Sequence, residues 1–388
     1  MTLVITGTAM TCSLGDELDQ VFESMCAGKS GRSRLQAFNE KQYKTHWAYE
    51  VPDRSDHQDR DFRATSWLCD AVARAVAQSQ LPGNVERITV VVGTGLRELR
   101  TLELHWLRHE PIALHHLHFG SALKRHFGDN VHIITLANAC AASVFALAVA
   151  ESILMAGEAD AVIAAGCDSI TESMFGLIDR LNPESPEQVQ PFEQTRKGVL
   201  MGEGAAAVVL ELPEHAAKRG AVPVAELLSI GVSCDASHET IPDWKGMHSA
   251  MRQAHERAGI QPANIDLLLV HGTGTQQNDV AEAKAISTLF SGDSPNVNIT
   301  ALKSMIGHTS GASGLIGVVA ACECLLKGRI LPTLGLHQPI GELAGFNFVH
   351  ETACDAPLNT IQVNAFGFGG VNAVAVLSKY RESSLNDA

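Results

Sequence analysis

The sequence predicts an α/β fold of two similar halves, each with a mixed sheet layered between helices, and three observations carry that expectation. Apolar, β-branched runs at 4–7, 88–93, 161–166 and 265–270 are separated by longer stretches with helical spacing, the alternation of an α/β protein. Two long helices rich in alanine and glycine, one after Cys140 and one after His308, echo each other in the two parts of the chain. A glycine turn entering a strand, Gly202-Glu-Gly204, recurs as Gly367-Phe-Gly-Gly370. The halves are expected to divide near residue 220, as 1–220 and 221–388, with a site where they meet.

Composition narrows the function classes. Of 388 residues, 45% are hydrophobic and 19% charged, with 33 glycines, which suits a compact enzyme with many tight turns. A formal charge of −14 argues against a general affinity for nucleic acid or anionic membranes. Nine cysteines scattered without a C-x-x-C pair suit a reducing cytosol better than a disulfide framework. The start, Met1-Thr-Leu-Val-Ile-Thr-Gly7, lacks the basic head and long apolar core of a signal peptide and reads as a first strand. The expectation is a soluble, cytoplasmic protein.

Along the chain, 16–25 has helical spacing, 30–61 is polar and irregular, and 65–80 is helical by periodicity, closed by Pro82-Gly83. The strand at 88–93 leads into Gly93-Thr-Gly95, which lacks the third glycine and the lysine of a nucleotide loop. Residues 102–126 hold six histidines. His105 and His109 have the i, i+4 spacing of metal ligands, yet no glutamate or cysteine set completes a zinc pattern. This segment reads as a surface or subunit contact, and no metal is predicted.

The run 133–155 starts apolar, bends at Cys140 and continues as a helix apolar almost all round, the mark of a core helix. It is shorter than the about 20 apolar residues a membrane span needs. A cysteine at a helix N-terminus feels the positive end of the macrodipole, which favours thiolate. Beyond the strand at 161–166, the Pro/Glu/Gln-rich loop 182–194 is long enough to be a flap. A helix is expected over 213–222.

Two histidine turns join the cysteine bend. One is Val270-His271-Gly-Thr273-Gly-Thr275, directly after an apolar strand, and the other is Lys303-Ser-Met-Ile-Gly307-His308. Each puts a functional side chain where a strand or turn meets a loop or helix. Singly, such histidines are more often structural. Together with Cys140 they point to one site.

With these turns in this order, the chain resembles the β-ketoacyl-acyl carrier protein synthases of the elongating type, condensing enzymes of the thiolase fold. The likeness runs from Val4-Ile-Thr-Gly7 to Gly367-Phe-Gly-Gly-Val-Asn372 and includes the segment from Pro191 to Gly204. The resemblance implies a thiolase-like fold and an acyltransferase that performs a decarboxylative Claisen condensation. Cys140 would carry the acyl chain, and the backbone N–H groups of Cys140 and Phe368 would form an oxyanion hole. His271 and His308 would stabilise the enolate left when a malonyl thioester loses carbon dioxide, with Lys303 supporting them. Thr273, Thr275 and Phe368 would contact the substrate arm. The implied partner is acyl carrier protein, whose 4′-phosphopantetheine carries the substrate, and no separate cofactor is required. Lys124, Arg125, Arg180, Arg196 and Lys197 are candidate docking charges. A dimer is implied, either a homodimer or a heterodimer with a chain-length-factor-like subunit.

Three departures bear on the pathway. Gly317 stands where many members carry a glutamate, nine residues after the second histidine. The cysteine turn reads Asn-Ala-Cys140-Ala-Ala-Ser143, and the region between Gly95 and Ile133 is short and histidine-rich. These features suggest a specialised synthase of a type II polyketide or polyene pathway rather than of housekeeping fatty acid biosynthesis. A degradative thiolase would present a second cysteine near 366–372, where this chain has none. The alternative is a non-catalytic chain-length-factor-like subunit. Retention of Cys140, His271 and His308 argues against it, and Gly317 keeps it open.

Overall fold

The computed structural model describes residues 2–54, 59–82, 87–291 and 297–381. Gly83, half of the turn expected to close a helix, lies outside the described residues. The first half supplies five strands of the central sheet: β1 (Leu3–Thr11), β2 (Ile88–Gly93), β3 (His132–Leu136), β4 (Ala161–Asp168) and β5 (Gly204–Glu211). The second supplies β6 (Ala225–Cys234), β7 (Leu267–Leu269), β8 (Asn298–Thr300), β9 (Thr360–Gly367) and β10 (Val371–Ser378).

The spatial order of the first half is β1-β5-β4-β2-β3, and that of the second is β6-β10-β9-β7-β8, with the two-residue strand Asn347–Phe348 paired parallel beyond β8. Strand directions match as well. In each half the first two pairings are antiparallel and the next two parallel. The repeat expected from two glycine turns and two small-residue helices is thus a repeat of topology. One refinement concerns the sheets. The two mixed sheets are hydrogen-bonded into one, because β1 and β6 pair antiparallel from Leu3↔Leu227 to Ile5↔Ala225.

Strand composition follows burial on both faces. β1, β4 and β5 are buried along their whole length, so β4 and β5 read as nearly continuous apolar runs, while β1 also buries Thr6, Thr8 and Thr11. β1 continues past Gly7, where the sequence suggested its end. Gly7 sits at a register shift, and a Cβ there would lie 2.0 Å from the carbonyl oxygen of Ala75. The glycine lets a helix approach; it is not a turn.

That helix is α1 (Arg63–Ser79), which covers the outer face of the first half. On the far side, α3 (Trp244–Ala258) packs on β6 and β10 and against α4 (Gln276–Leu289). Between them lie α2 (Ala142–Met155) and α5 (Ser313–Lys327), each touching strands of both halves. A helix with apolar walls on every side must itself be apolar all round, which is how both sequences read. The stretch Ser310–Lys327 is long and apolar enough to cross a membrane by composition, yet 83% of it is buried inside the fold. The helix expected over 213–222 is shorter, Pro213–Lys218.

The two central helices meet through small residues. A Cβ on Gly314 would lie 2.4 Å from Val144 Cγ2 and 3.1 Å from Ala365 Cβ. Ser143 Oγ accepts from the Leu315 N–H at 3.0 Å across the same contact. Gly314→Val should therefore overpack this seam and destabilise the protein by about 1–3 kcal/mol. Urea denaturation monitored by circular dichroism checks this, and an unchanged midpoint would contradict the packing argument.

Candidate active site

Cys140 lies in a single 3-10 turn, Ala139–Ala141, between β3 and α2. Ala139 holds φ at 47°, a left-handed conformation that costs a residue with a Cβ some strain. His271 follows β7 on a loop. Lys303 begins the buried turn Lys303–Ile306, and Gly307 (φ 69°) then turns the chain so that His308 faces Cys140. A Cβ on Gly307 would strike the Tyr49 ring at 2.5 Å, so glycine is required on two counts. The His308 backbone is clamped at both ends, its N–H on the Leu200 carbonyl and its C=O under the Gly202 N–H, both at 2.9 Å.

These elements bring the four residues together. His308 Nε2 lies 3.1 Å from Cys140 Sγ. The His271 and His308 rings stand almost perpendicular with centroids 5.3 Å apart. Lys303 Nζ donates to the His271 carbonyl at 2.6 Å and reaches its Nδ1 at 3.2 Å. With an ammonium donating to Nδ1, the ring carries its proton on Nε2.

Burial sets the charges. Both imidazoles are held well below their ordinary range, first by desolvation and then by the neighbouring Lys303 cation. Both are therefore neutral at pH 7. Burial brings Lys303 down to about 8, opposed by the attraction of Glu282. The Cys140 thiol is pushed up to about 11 by desolvation, although Lys303 and the N–H groups of Phe368 and Cys140 pull the other way. The thiolate expected from the helix dipole is thus outweighed by loss of water. The resting pair is a thiol beside a neutral imidazole.

Phe368 opens the terminal glycine turn. Gly369 and Gly370 both have left-handed φ, 79° and 73°, and a Cβ on Gly370 would collide with Asp235. That turn presents the Phe368 N–H to the sulfur. Thr273 and Thr275 line the same cavity with their hydroxyls 2.9 Å apart. Thr275 also caps α4 by accepting from the Asn278 N–H.

The cavity measures about 450 Å³ and contains Cys140, His271, His308 and Phe368 in its walls. Leu96, Met174, Ile178, Leu181, Val199 and Met201 form an apolar flank, the lining expected for a hydrocarbon. Asn182 and Pro183, from the loop read as a flap, line it as well. Leu96 is fixed by Asp168, a fully buried carboxylate that burial pushes up to about 6. Asp168 accepts from Thr94 Oγ1 and from the N–H groups of Gly95, Leu96 and Gly311, tying the two halves together at the site.

Several residues went unassigned in the sequence. Asp279 accepts the N–H groups of Phe192, Thr273 and Gly274. Glu282 accepts those of His271 and Gly272. An acidic pair at i, i+3 facing the interior of α4 was the available signal, and it needed the fold to show what it faces. Arg196 needs correcting as a docking charge. It is buried and donates to the carbonyls of Glu193, Thr275 and Gln276, with Asp279 3.5 Å away. Arg180 and Lys197 are exposed beside the cavity residues Leu181 and Gly198, whereas Lys124 and Arg125 sit on the exposed helix Gly120–Phe127. In the histidine-rich segment, His105 lies 3.2 Å from Asp61, and His115 and His116 are exposed at the surface.

Residues 2–216 match the family model for the β-ketoacyl synthase N-terminal domain and residues 224–337 that for its C-terminal domain. The chain is 29% identical to 3-oxoacyl-[acyl-carrier-protein] synthase 2 of Coxiella burnetii, over 97% of this chain and 98% of that one. It is 30% identical to the chloroplastic 3-oxoacyl-[acyl-carrier-protein] synthase I of Arabidopsis thaliana, over 98% and 87%. Among solved structures, the ishigamide ketosynthase/chain length factor superimposes with a TM-score of 0.89 at 29% identity, covering 98% of this chain and 99% of that one. A β-ketoacyl synthase from Burkholderia phymatum gives 0.87 at 25%, covering 98% and 100%.

The charge assignment has a direct consequence. Because the folded thiol titrates above its ordinary value, alkylation of Cys140 by iodoacetamide should keep rising through pH 9 and level off only near 11. Peptide mass spectrometry across a pH series measures this, and a plateau below pH 8 would show a stabilised thiolate instead.

Proposed function

The chain belongs to the β-ketoacyl synthase family, and from that membership we propose a residue-by-residue course for its condensation. The single observation that carries it is the 3.1 Å approach of His308 Nε2 to Cys140 Sγ inside an apolar cavity. Cys140 attacks the carbonyl carbon of an acyl thioester on acyl carrier protein while His308 Nε2 takes the thiol proton. The oxyanion sits between the N–H groups of Cys140 and Phe368. It collapses to a Cys140 thioester, and the carrier thiol leaves with the proton.

A malonyl thioester then enters with its 4′-phosphopantetheine arm past Thr273 and Thr275. Its C–C bond to the carboxylate breaks, carbon dioxide departs, and the electron pair becomes an enolate. The enolate oxygen accepts hydrogen bonds from the Nε2–H of neutral His271 and, once its proton has moved from Nδ1 to Nε2, from that of neutral His308. Lys303 keeps the His271 proton on Nε2, where it is useful. The enolate carbon attacks the Cys140 thioester, the Cys140 thiolate leaves and takes one proton from solvent to become the thiol again, and a β-ketoacyl chain two carbons longer leaves on the carrier. Atoms and electrons balance without a metal or redox cofactor.

The finer reading is a specialised synthase of a type II polyketide or polyene pathway that works as a dimer. The likeness to the ishigamide ketosynthase/chain length factor supports it, and so does β3, which ends the sheet as a half-exposed edge strand. An unpaired edge invites pairing with another subunit, a second copy or a chain-length-factor-like partner. Nine free cysteines accord with a cytoplasmic setting. The non-catalytic reading is disfavoured by the presence of Cys140 and both histidines at one site.

Intact-protein mass after incubation with a panel of acyl carrier proteins tests this. The wild type should gain one acyl group and Cys140→Ala none, the preferred acyl group reporting the pathway. Acylation that persists in Cys140→Ala, or fails even with a co-expressed partner, would refute it. His271→Ala should keep acylation while malonyl decarboxylation falls about 10²–10³-fold. Arg180→Glu with Lys197→Glu should raise KM for carrier-bound substrate and spare small thioester analogues. Equal kinetics would exclude that docking face.

A further inference from the structure

Behind His271, a line of buried polar side chains runs away from the cavity to the outer helix layer. His255 on α3 places Nε2 2.6 Å from Gln362 Oε1. Gln362 Nε2 donates to Asn364 Oδ1 at 2.7 Å, and Asn364 Nδ2 donates to Glu282 Oε1 at 3.1 Å. Glu282 in turn accepts the His271 N–H at 2.7 Å and the Gly272 N–H at 2.8 Å. Every link donates in the same sense, toward the carboxylate. Gln362 and Asn364 occupy alternate positions of β9, so they share one face of the strand.

As a device for stability this line is poor. It crosses an apolar cluster that includes Leu268, Phe290, Val374 and Val376. His255 leaves its Nδ1 buried without a partner among the described residues, which costs stability. As a device for orientation it is well built. Donors aligned head to tail reinforce one another, and here they end on the group that grips the His271 peptide. That peptide is held from two sides, its N–H by Glu282 and its C=O by Lys303. Glu282 is also the first charge that attracts Lys303.

We propose that Gln362 and His255 are positioning residues of the condensing site, acting through Asn364 and Glu282 to aim His271 at the enolate. The inference rests on the proposed function, because it assigns a second tier to the same site. Neither residue lines the cavity. They should therefore affect the step that needs His271 and spare the attack of Cys140.

The test compares two half-reactions on the full-length protein: acyl transfer to Cys140, read by intact mass, and decarboxylation of malonyl-acyl carrier protein, read by carbon dioxide release. Gln362→Met keeps the volume and removes both links. It should lower decarboxylation about tenfold and leave the rate of acylation within about twofold. His255→Phe should act in the same direction, and His255→Gln, whose amide can donate at the same place, should recover most of the loss. Equal decarboxylation in wild type, Gln362→Met and His255→Phe would overturn the inference. So would a parallel fall of both half-reactions, or equal losses in His255→Phe and His255→Gln. If Gln362→Met does not fold, as judged by thermal melting, the histidine pair decides alone. A wild type that does neither half-reaction would sink the proposed function, and the inference with it.

Discussion

The nucleophile and the two histidines come from opposite halves of the chain, so the site exists only while those halves are held in register. The contact between α2 and α5 does this. Gly314 against Val144 sets their distance, and Ser143 Oγ receives the Leu315 N–H across the seam. Asp168 adds a second tie, binding the Gly95 loop and the Gly311 N–H with one carboxylate. Small side chains permit the close approach, and hydrogen bonds made there fix its phase. A 3.1 Å contact between Cys140 and His308 depends on both.

Desolvation then governs the chemistry more than any charge pair does. It keeps two imidazoles neutral beside a lysine and keeps the cysteine protonated at neutral pH. A charged imidazole would be the stronger donor, but it could not accept the thiol proton. A neutral one serves as acceptor in the first half of the cycle and as N–H donor in the second. The buried ammonium of Lys303 is what makes protonating either ring expensive, and Glu282 is what keeps that ammonium in place.

Much of this was legible in the sequence, because local pattern and local function coincide there. The bend at Cys140, the loop after β7 and the turn at Gly307-His308 are each set by residues next to one another in the chain. Two uniformly apolar helices announced a layer with walls on both sides. What escaped depends on distant partners. Glu282, Gln362 and Asn364 are ordinary polar residues until β9 is laid beside α4, and Arg196 looked like a surface cation until its three carbonyl partners appeared. The expected thiolate failed for a related reason. A helix dipole is visible in sequence, whereas the depth of a cavity is not. Gly317 is of the same kind. A Cβ there would already touch Val363 at 2.9 Å, so a glutamate would not fit without movement.

Most of the apolar flank of the cavity belongs to the first half, with Met247 and Phe366 added by the second. Leu96, Met174, Ile178, Leu181, Val199 and Met201 all precede β5, while His271, Lys303 and His308 all follow β6. Substrate range and proton handling are thus largely encoded in separate stretches of gene. Substitutions that lengthen or bend the hydrocarbon slot can accumulate in one stretch without disturbing the other. Recombination between β5 and β6 would therefore move the nucleophile and most of the slot together, and set them against histidines inherited from the other parent.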